Sequence, residues 1–195
     1  MRTWTGQLSP LPNAGNAGLV CPMDIVVLLG RYKRFGNNGD NEFSVLHHSV
    51  LVAIIWMVAG FPPDKMIYAL GHDFHEAYTG DIPSPIKNAT IEVKKAISDL
   101  EHTLDNKIWN FLGISPPDSA TKRMVKICDR ASLIIEMMVT GPPGTDDIDS
   151  LKREYPDSGL WELIYRVMPN LEYVSGNVKR KHIDRRHPAY GDENL

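Results

Sequence analysis

The spacing of the apolar residues limits this chain to a helical fold. In the middle of the chain, apolar residues recur every three or four positions, as they do on the buried face of an amphipathic helix. They stand at Val93, Ile97, Leu100, Leu104, Ile108 and Leu112. No segment alternates with period two for long, as a half-exposed strand would. The pattern therefore predicts an all-α fold.

Prolines, glycines and capping residues divide the chain into predicted helices and loops. The predicted helices cover 23–32, 44–59, 65–78, 90–112, 116–139 and 159–168, and the predicted loops cover 36–40, 79–88 and 141–149. Residues 1–22 are predicted to form an irregular arm, and residues 175–195 a basic tail. The basic residues at 179–186 fit a solvated tail, and they also fit a segment that contacts phosphate or another subunit.

Length and composition exclude several classes of protein. The 195 residues fit one domain, and the net charge of −3 gives no general attraction to nucleic acid or to membranes. Two distant cysteines favour a reducing cytoplasm over a disulfide framework. The first 20 residues have no apolar core of a signal peptide, and the longest apolar stretch, 50–61, is too short to span a bilayer.

The motif at 71–76 (GHDFHE) is the strongest indication of chemistry. On a helix, His72 and Glu76 share a face and Asp73 lies about 100° away, so the three could surround one ion. Asp129 follows an apolar stretch in which an unpartnered carboxylate would be costly, and His48 lies in the preceding predicted helix. From the residues alone, other interpretations stay open: an exposed His-Asp pair, a solvated Glu76, and a capping or salt-bridging Asp129.

The wider pattern resembles the HD-domain phosphohydrolases. It is most similar to bacterial 5′-deoxynucleotidases and to phage-encoded relatives, including phage dATP triphosphohydrolases. The residues that carry the resemblance are 34–36 (RFG), 43–52 (FSVLHHSVLV), 69–87 (ALGHDFHEAYTGDIPSPIK) and 125–129 (VKICD), with 3–6 (TWTG) near the N-terminus. The resemblance implies a single HD-domain helical bundle over residues 1–195.

The resemblance also implies a role for each matching residue. The implied metal ligands are His48, His72, Asp73 and Asp129. Glu76 and Asp81 match positions that activate water or protonate the leaving group. The implied substrate contacts are Arg34, Lys87 and Lys126 at the phosphates, and Phe35 and Pro85 near the sugar and base. His47 is expected to be structural or to support a ligand, and His75 matches no functional position.

These roles imply metal-dependent hydrolysis of a deoxynucleotide. The leading expectation is a dATP triphosphohydrolase, the alternative is a 5′-deoxynucleotidase acting on monophosphates, and the alternative of another class is a non-catalytic nucleotide-binding domain. Imidazole with carboxylate suits zinc, cobalt or manganese, and a second divalent ion could accompany a triphosphate. We also expect a homo-oligomer that binds neither nucleic acid nor membrane. A cytoplasmic location is expected, with a phage gene acting in the host cytoplasm as one origin.

Overall fold

The computed structural model describes residues 2–11, 18–35, 43–140 and 148–174, and its regular structure is helical. The helices are α1 (Pro22–Arg31), α2 (Val45–Val58), α3 (Met66–Leu70), α4 (Glu76–Thr79), α5 (Ser84–Lys87), α6 (Ile91–Leu112), α7 (Ser119–Thr140), α8 (Ile148–Glu154) and α9 (Ser158–Val174). A 3₁₀ turn at Pro63–Lys65 precedes α3. Two isolated β-bridges stand in place of strands in the described residues, which confirms the predicted all-α class.

Helix α2 lies at the centre of the fold and carries the first site residue. It packs against α1, α3, α7 and α9. Val52, Ile55 and Trp56 on this helix have no exposed surface. Its first turn is fixed by a capping box, in which the Ser44 hydroxyl accepts from the backbone N–H of His47 and the imidazole of His47 accepts from the backbone N–H of Ser44. This cap places His47 at the helix end and turns the next residue, His48, into the interior.

Two hydrophobic clusters flank the site residues. The larger joins α2 and α7 to α8 and α9, and the smaller joins α1 to α4 and α6. Helices α6 and α7, at 22 residues each, supply long faces to these clusters. The predicted helix at 90–112 is confirmed: Thr90 caps it through the backbone N–H of Val93, and Gly113 ends it in the left-handed region at φ 69°.

The predicted continuous helix at 65–78 is wrong. The chain forms α3, a run of turns at 71–75, and then α4. In the turns, the backbone N–H groups of Phe74 and Glu76 bond three residues back, to Gly71 and Asp73. The carbonyl of Ala69, which a continuing helix would offer to a backbone N–H, instead accepts from Nδ1 of His72. A side chain therefore replaces a backbone donor at this point, and His72 and Glu76 do not share a helix face.

Other boundaries differ by smaller amounts. The predicted loop at 79–88 contains α5, which begins after Pro83 and takes Pro85 into its first turn, where a proline is tolerated. Helix α8 begins at Ile148, before the predicted end of a loop. Helix α9 continues through Pro169 to Val174, past the predicted end. The predicted loop at 36–40, most of the loop at 141–149 and the basic tail lie outside the described residues.

The N-terminal arm is irregular where the structure describes it, as predicted. The buried carboxylate of Asp24 on α1 accepts from the backbone N–H and the hydroxyl of Thr5, at 2.8 and 2.9 Å. These bonds tie the start of the arm to α1. In the part of the chain that the structure describes, no helix has the length and apolar character needed to cross a membrane.

Candidate metal centre

Four side chains predicted as metal ligands converge on one point between α2, the 71–75 turns and α7. Nε2 of His48 lies 3.2 Å from Nε2 of His72, 3.4 Å from Oδ2 of Asp73 and 3.3 Å from Oδ1 of Asp129. Nε2 of His72 lies 3.2 and 3.7 Å from the same two carboxylate oxygens. The structure thus brings residues far apart in sequence within reach of a single ion.

The spacing of these atoms fits a divalent transition metal. A zinc ion holds imidazole nitrogen and carboxylate oxygen at about 2.0–2.2 Å, which leaves neighbouring donors roughly 3–3.5 Å apart. The observed separations of 3.2–3.7 Å are close to that range. Because His48 is buried while the side chain of Asp129 is 44% exposed, the cluster opens toward solvent beside α7.

Hydrogen bonds to the far ring nitrogens fix both histidines for metal binding. Nδ1 of His72 lies 2.9 Å from the carbonyl of Ala69, and Nδ1 of His48 lies 2.5 Å from Oε1 of Glu136. A carbonyl and a carboxylate only accept, so each Nδ1 carries a proton when the ring is neutral. Each Nε2 then presents a lone pair to the cluster, which is the tautomer that a metal requires.

The opposite charges in the cluster shift the pKa values of its imidazoles and carboxylates in opposite directions. Burial opposes protonation of His72, but Asp73 and Asp129 outweigh it and raise its pKa to about 9. Burial favours the neutral acid at Asp73, yet His72 and His48 hold the pKa of that carboxyl well below its usual value. A metal must displace the imidazole protons to bind, so loading of the site releases protons.

Sequence reasoning missed Glu136 and Ser132, which support His48 from α7. Glu136 has no exposed side-chain surface. Burial opposes its ionisation, but His48 and Arg34 hold its pKa below the usual range. The hydroxyl of Ser132 donates to Oε1 of Glu136 at 2.6 Å. The sequence did indicate Glu136, because it is a single carboxylate inside the apolar stretch 133–139, where an unpartnered charge would be costly. The same argument pointed to Asp129, which follows the largely apolar residues 125–128.

Glu76, the predicted proton acceptor, is buried at the edge of the cluster. Its side chain is 4% exposed, and Oε2 has no hydrogen-bond partner among the described residues. Burial, with the nearby charges of Asp73 and Asp81, raises the pKa of Glu76 to about 7. Nζ of Lys87 lies 3.5 Å from Oε1 and opposes this rise. A carboxylate with a pKa near neutrality is suited to accept and return a proton.

His75 is buried and belongs to a polar group that the sequence did not predict. Nδ1 of His75 lies 2.9 Å from Oδ1 of Asp105 on α6, and Glu101 on the same helix lies 2.9 Å from Nζ of Lys87. Burial opposes protonation of His75, but Asp105 and Glu101 raise its pKa to about 10. Ligand atoms of Asp73, His75 and Glu76 lie within 4.8 Å of one another.

Arg34 and Asp81, both predicted site residues, lie beside the cluster. Nε of Arg34 donates to Oε2 of Glu136 at 3.1 Å, and a terminal nitrogen lies 3.8 Å from Oδ1 of Asp81. The guanidinium also stacks 5.9 Å from the ring of Phe35. Phe35 has φ 58°, a left-handed conformation that is uncommon for a bulky residue and concentrates at functional sites.

The remaining predicted substrate contacts lie further out. Lys87 is only partly exposed, at the end of α5, and Pro85 is exposed on the same short helix. Lys126 is exposed on α7, one turn before Asp129. The three predicted phosphate-binding cations therefore range from the interior, at Arg34, to the surface, at Lys126.

Comparison with known proteins agrees with the site. The family model described as 5′-deoxynucleotidase YfbR-like matches residues 33–139, which include all four residues of the cluster. The uncharacterized protein YfdR of Escherichia coli (strain K12) is 33% identical over 113 residues, 58% of this chain and 57% of that protein. The match therefore spans little more than half the length of YfdR.

A solved structure shares the fold. It is the cyanophage S-2L HD phosphohydrolase (DatZ) bound to dA and one catalytic Zn²⁺ ion, with a TM-score of 0.52 and 22% sequence identity. The alignment covers 80% of this chain and 97% of DatZ. With more than half of its length matched by the family model, the chain belongs to the YfbR-like 5′-deoxynucleotidase family, and it shares the fold of the HD phosphohydrolase DatZ.

Proposed function

We propose that this protein is a metal-dependent phosphohydrolase of deoxynucleotides. One observation carries the proposal: Nε2 of His48 and Nε2 of His72 lie 3.2 Å apart, and each lies 3.2–3.7 Å from carboxylate oxygens of Asp73 and Asp129, with Glu76 buried beside them. A divalent ion held there would polarise a phosphoryl oxygen and make water a stronger nucleophile at neutral pH. Zinc, cobalt and manganese all suit this set of donors.

The other side chains supply a proton acceptor, a proton donor and positive charges for the phosphates. Glu76 accepts the proton of the attacking water, because its Oε2 has no other described partner and its pKa is about 7. Asp81, whose pKa burial raises above the usual carboxyl value, protonates the leaving oxygen. Arg34 and Lys87 neutralise charge that builds on the phosphoryl oxygens, and Lys126 binds an outer phosphate. These groups favour an enzyme over a binding domain without catalysis, which needs no buried proton acceptor.

A deoxynucleoside triphosphate, with dATP first, is the leading substrate, and the products are deoxynucleoside and inorganic triphosphate. The support is that cationic side chains lie at different depths, from Arg34 beside the cluster to Lys126 at the surface, so that they could contact successive phosphates. The shared fold with DatZ agrees with this choice. A second divalent ion would accompany the triphosphate.

The alternative substrate is a deoxynucleoside monophosphate. The family match supports it, since the family is described by its 5′-deoxynucleotidase activity. The same cluster, Glu76 and Arg34 would serve both reactions. The two proposals differ at Lys126, which we assign to an outer phosphate that a monophosphate lacks.

An activity screen decides between these substrates. All four dNTPs and dNMPs would be incubated with Mn²⁺, Co²⁺ or Zn²⁺, and the released phosphate, pyrophosphate or triphosphate identified. Release of triphosphate from dATP establishes the leading function, and turnover of dNMPs alone establishes the alternative. Asp129→Ala should abolish activity and keep the helical circular dichroism. Full activity of that variant in the presence of a chelator would refute the metal-dependent mechanism.

The outer cations provide a second test of the substrate. Replacing Lys126 by alanine should weaken binding of dATP far more than binding of dAMP, because only dATP carries outer phosphates. Lys122, an exposed lysine one turn earlier on α7, is the matched control and should have little effect. Equal losses for dATP and dAMP would favour the monophosphate nucleotidase.

We also propose that the protein forms a homo-oligomer. Helix α2 is apolar from Val50 to Val58, yet Val50 and Met57 on it are 42% and 56% exposed. A helix that is apolar on all sides is usually buried on all sides. Light scattering at micromolar concentration should give a multiple of the chain mass, and Met57→Asp should reduce it. A monomeric mass for the wild-type protein would contradict the proposal.

A further inference from the structure

One buried carboxylate contacts both a proposed metal ligand and a proposed phosphate-binding residue. Glu136 lies on α7, about two turns beyond Asp129, and its side chain has no exposed surface. Its Oε1 accepts from Nδ1 of His48 at 2.5 Å, and its Oε2 accepts from Nε of Arg34 at 3.1 Å. His48 is a proposed metal ligand and Arg34 a proposed phosphate contact. Each oxygen of this carboxylate therefore holds a residue with a different role.

The bond to His48 concerns the metal. A carboxylate that accepts from the far nitrogen of an imidazole fixes the ring and makes its other nitrogen a stronger donor. His72 has only a backbone carbonyl at the corresponding position. His48 is thus the more strongly polarised of the two imidazoles, and Glu136 supplies the difference.

The bond to Arg34 concerns the substrate. By binding Nε, Glu136 fixes the guanidinium plane and leaves the terminal nitrogens on the far side of the group, where one faces Asp81 at 3.8 Å. A guanidinium binds phosphate best through a fixed pair of N–H groups. Holding the plane in advance reduces the entropy lost when a phosphate binds.

We infer that Glu136 is a positioning residue that sets metal affinity through His48 and phosphate binding through Arg34. The inference rests on the proposed function for the identity of the two ligands, a divalent metal and a phosphate. Ser132 assists by donating to the same oxygen that His48 contacts. The residue itself touches neither ligand.

Glutamine at position 136 should not replace glutamate, because it has the same size but lacks the second acceptor oxygen. Both His48 and Arg34 are donors, and the carboxylate offers each an acceptor oxygen. Glutamine has the same shape but only one oxygen, so its NH₂ group must face one of the two donors. Glu136→Gln therefore breaks at least one bond and removes the negative charge that serves both.

The test measures metal and phosphate separately, on the full chain stripped of metal. Co²⁺ affinity would be followed by visible absorption, and binding of dAMP and of inorganic phosphate by calorimetry at saturating Co²⁺. We expect Glu136→Gln to weaken Co²⁺ binding by about 10–100-fold, the usual effect of losing such a support. Phosphate binding should remain weaker even when every site holds Co²⁺.

Two further variants make the test decisive. Ile135→Val, an adjacent and equally buried change on α7, should leave both affinities unchanged. Glu136→Asp keeps the charge that balances Arg34 but shortens the side chain by one methylene, so it cannot span both partners. It should lower the affinity for Co²⁺ and the affinity for phosphate. If the glutamine variant does not fold, the aspartate variant tests the role of Glu136 in its place.

Either affinity remaining at the wild-type level in a folded Glu136 variant overturns the inference. Recovery of full phosphate binding at saturating Co²⁺ would show that Glu136 acts on the metal alone, which also overturns it. The Co²⁺ titration needs no turnover. It therefore decides the role at His48 even for a protein that hydrolyses none of the deoxynucleotides, the result that would refute the proposed function.

Discussion

Glu76 combines the two properties of a general base, a raised pKa and an oxygen without a described partner. Glu76→Ala should therefore keep the metal and lose rate by about 10²–10⁴, the range for loss of a general base. Metal content would be measured by elemental analysis and rate under saturating substrate. Glu92→Ala, an exposed change on α6, is the control and should retain full rate. Loss of the metal from the Glu76 variant would instead identify Glu76 as a ligand.

Phe35, which we propose as the contact to the substrate sugar, lies beside the guanidinium of Arg34. It belongs to neither hydrophobic cluster of the described residues, which argues against a role in the core. An apolar ring cannot replace the water lost by a 2′-hydroxyl, so it should favour deoxyribose. Phe35→Ala should raise the rate on ATP relative to dATP, measured as a ratio of kcat/KM values.

The control for this change is Phe111→Ala, which removes an exposed ring at the end of α6. It should leave the ratio between ATP and dATP unchanged. An unchanged ratio in the Phe35 variant would show that this ring does not select the sugar.

At the level of single residues, the pattern of the family resemblance implied His48, His72, Asp73 and Asp129 as metal ligands. The structure brings their side chains together, and their binding of a metal stays a prediction. Glu136 belongs to no such pattern, and its importance comes from contacts with His48 and Arg34, each separated from it by many residues. Only the packing of α7 on α2 makes those contacts visible.

Among the elements, the turns between α3 and α4 decide where His72 and Asp73 point. They depend on Gly71, because a Cβ there would lie 2.8 Å from the ring of Trp109 and 3.0 Å from the ring of Phe74. Gly71→Ala should lower the free energy of unfolding by about 1–3 kcal/mol, as expected for overpacking. It should also weaken metal binding through the adjacent His72. Chemical denaturation and a Co²⁺ titration would measure the two effects.

Gly30→Ala is a matched control for this substitution. Its Cβ would meet only Leu46, at an ordinary contact distance of 3.7 Å, and the residue lies within α1. Alanine is favoured over glycine in a helix by about 0.5–1 kcal/mol. This variant should therefore be at least as stable as the wild type. Equal stability of the two alanine variants would contradict the packing argument at Gly71.

The same turns show what the sequence could not predict about the elements. Helix α6 was predicted with its bounds because apolar spacing, Thr90 and Gly113 are all local signals. The break after α3 has no such local signal. Nδ1 of His72 bonds there to the carbonyl of Ala69, and Trp109, a residue of α6, approaches Gly71 closely. Periodicity continues through 65–78, so the pattern favoured one helix.

For the whole molecule, the helical class followed from periodicity, but the arrangement of the helices did not. The structure packs α2 against α1, α3, α7 and α9. Nothing in the spacing indicates which helices are neighbours. The family resemblance implied a helical bundle, and the contacts between its helices come from the structure. Oligomerisation remains a prediction that rests on the exposed side of α2.

The four proposed ligands also come from parts of the chain that are far apart: α2, the 71–75 turns and α7. An ion bound there would act as a removable cross-link across the molecule, and the supply of metal would then control the lifetime of the fold as well as its activity. At 100 times its dissociation constant, such an ion adds about 2.7 kcal/mol of stability. Melting with added Zn²⁺ and with a chelator would measure this gain. Asp129→Ala should lose most of the gain, whereas Glu76→Ala should keep it.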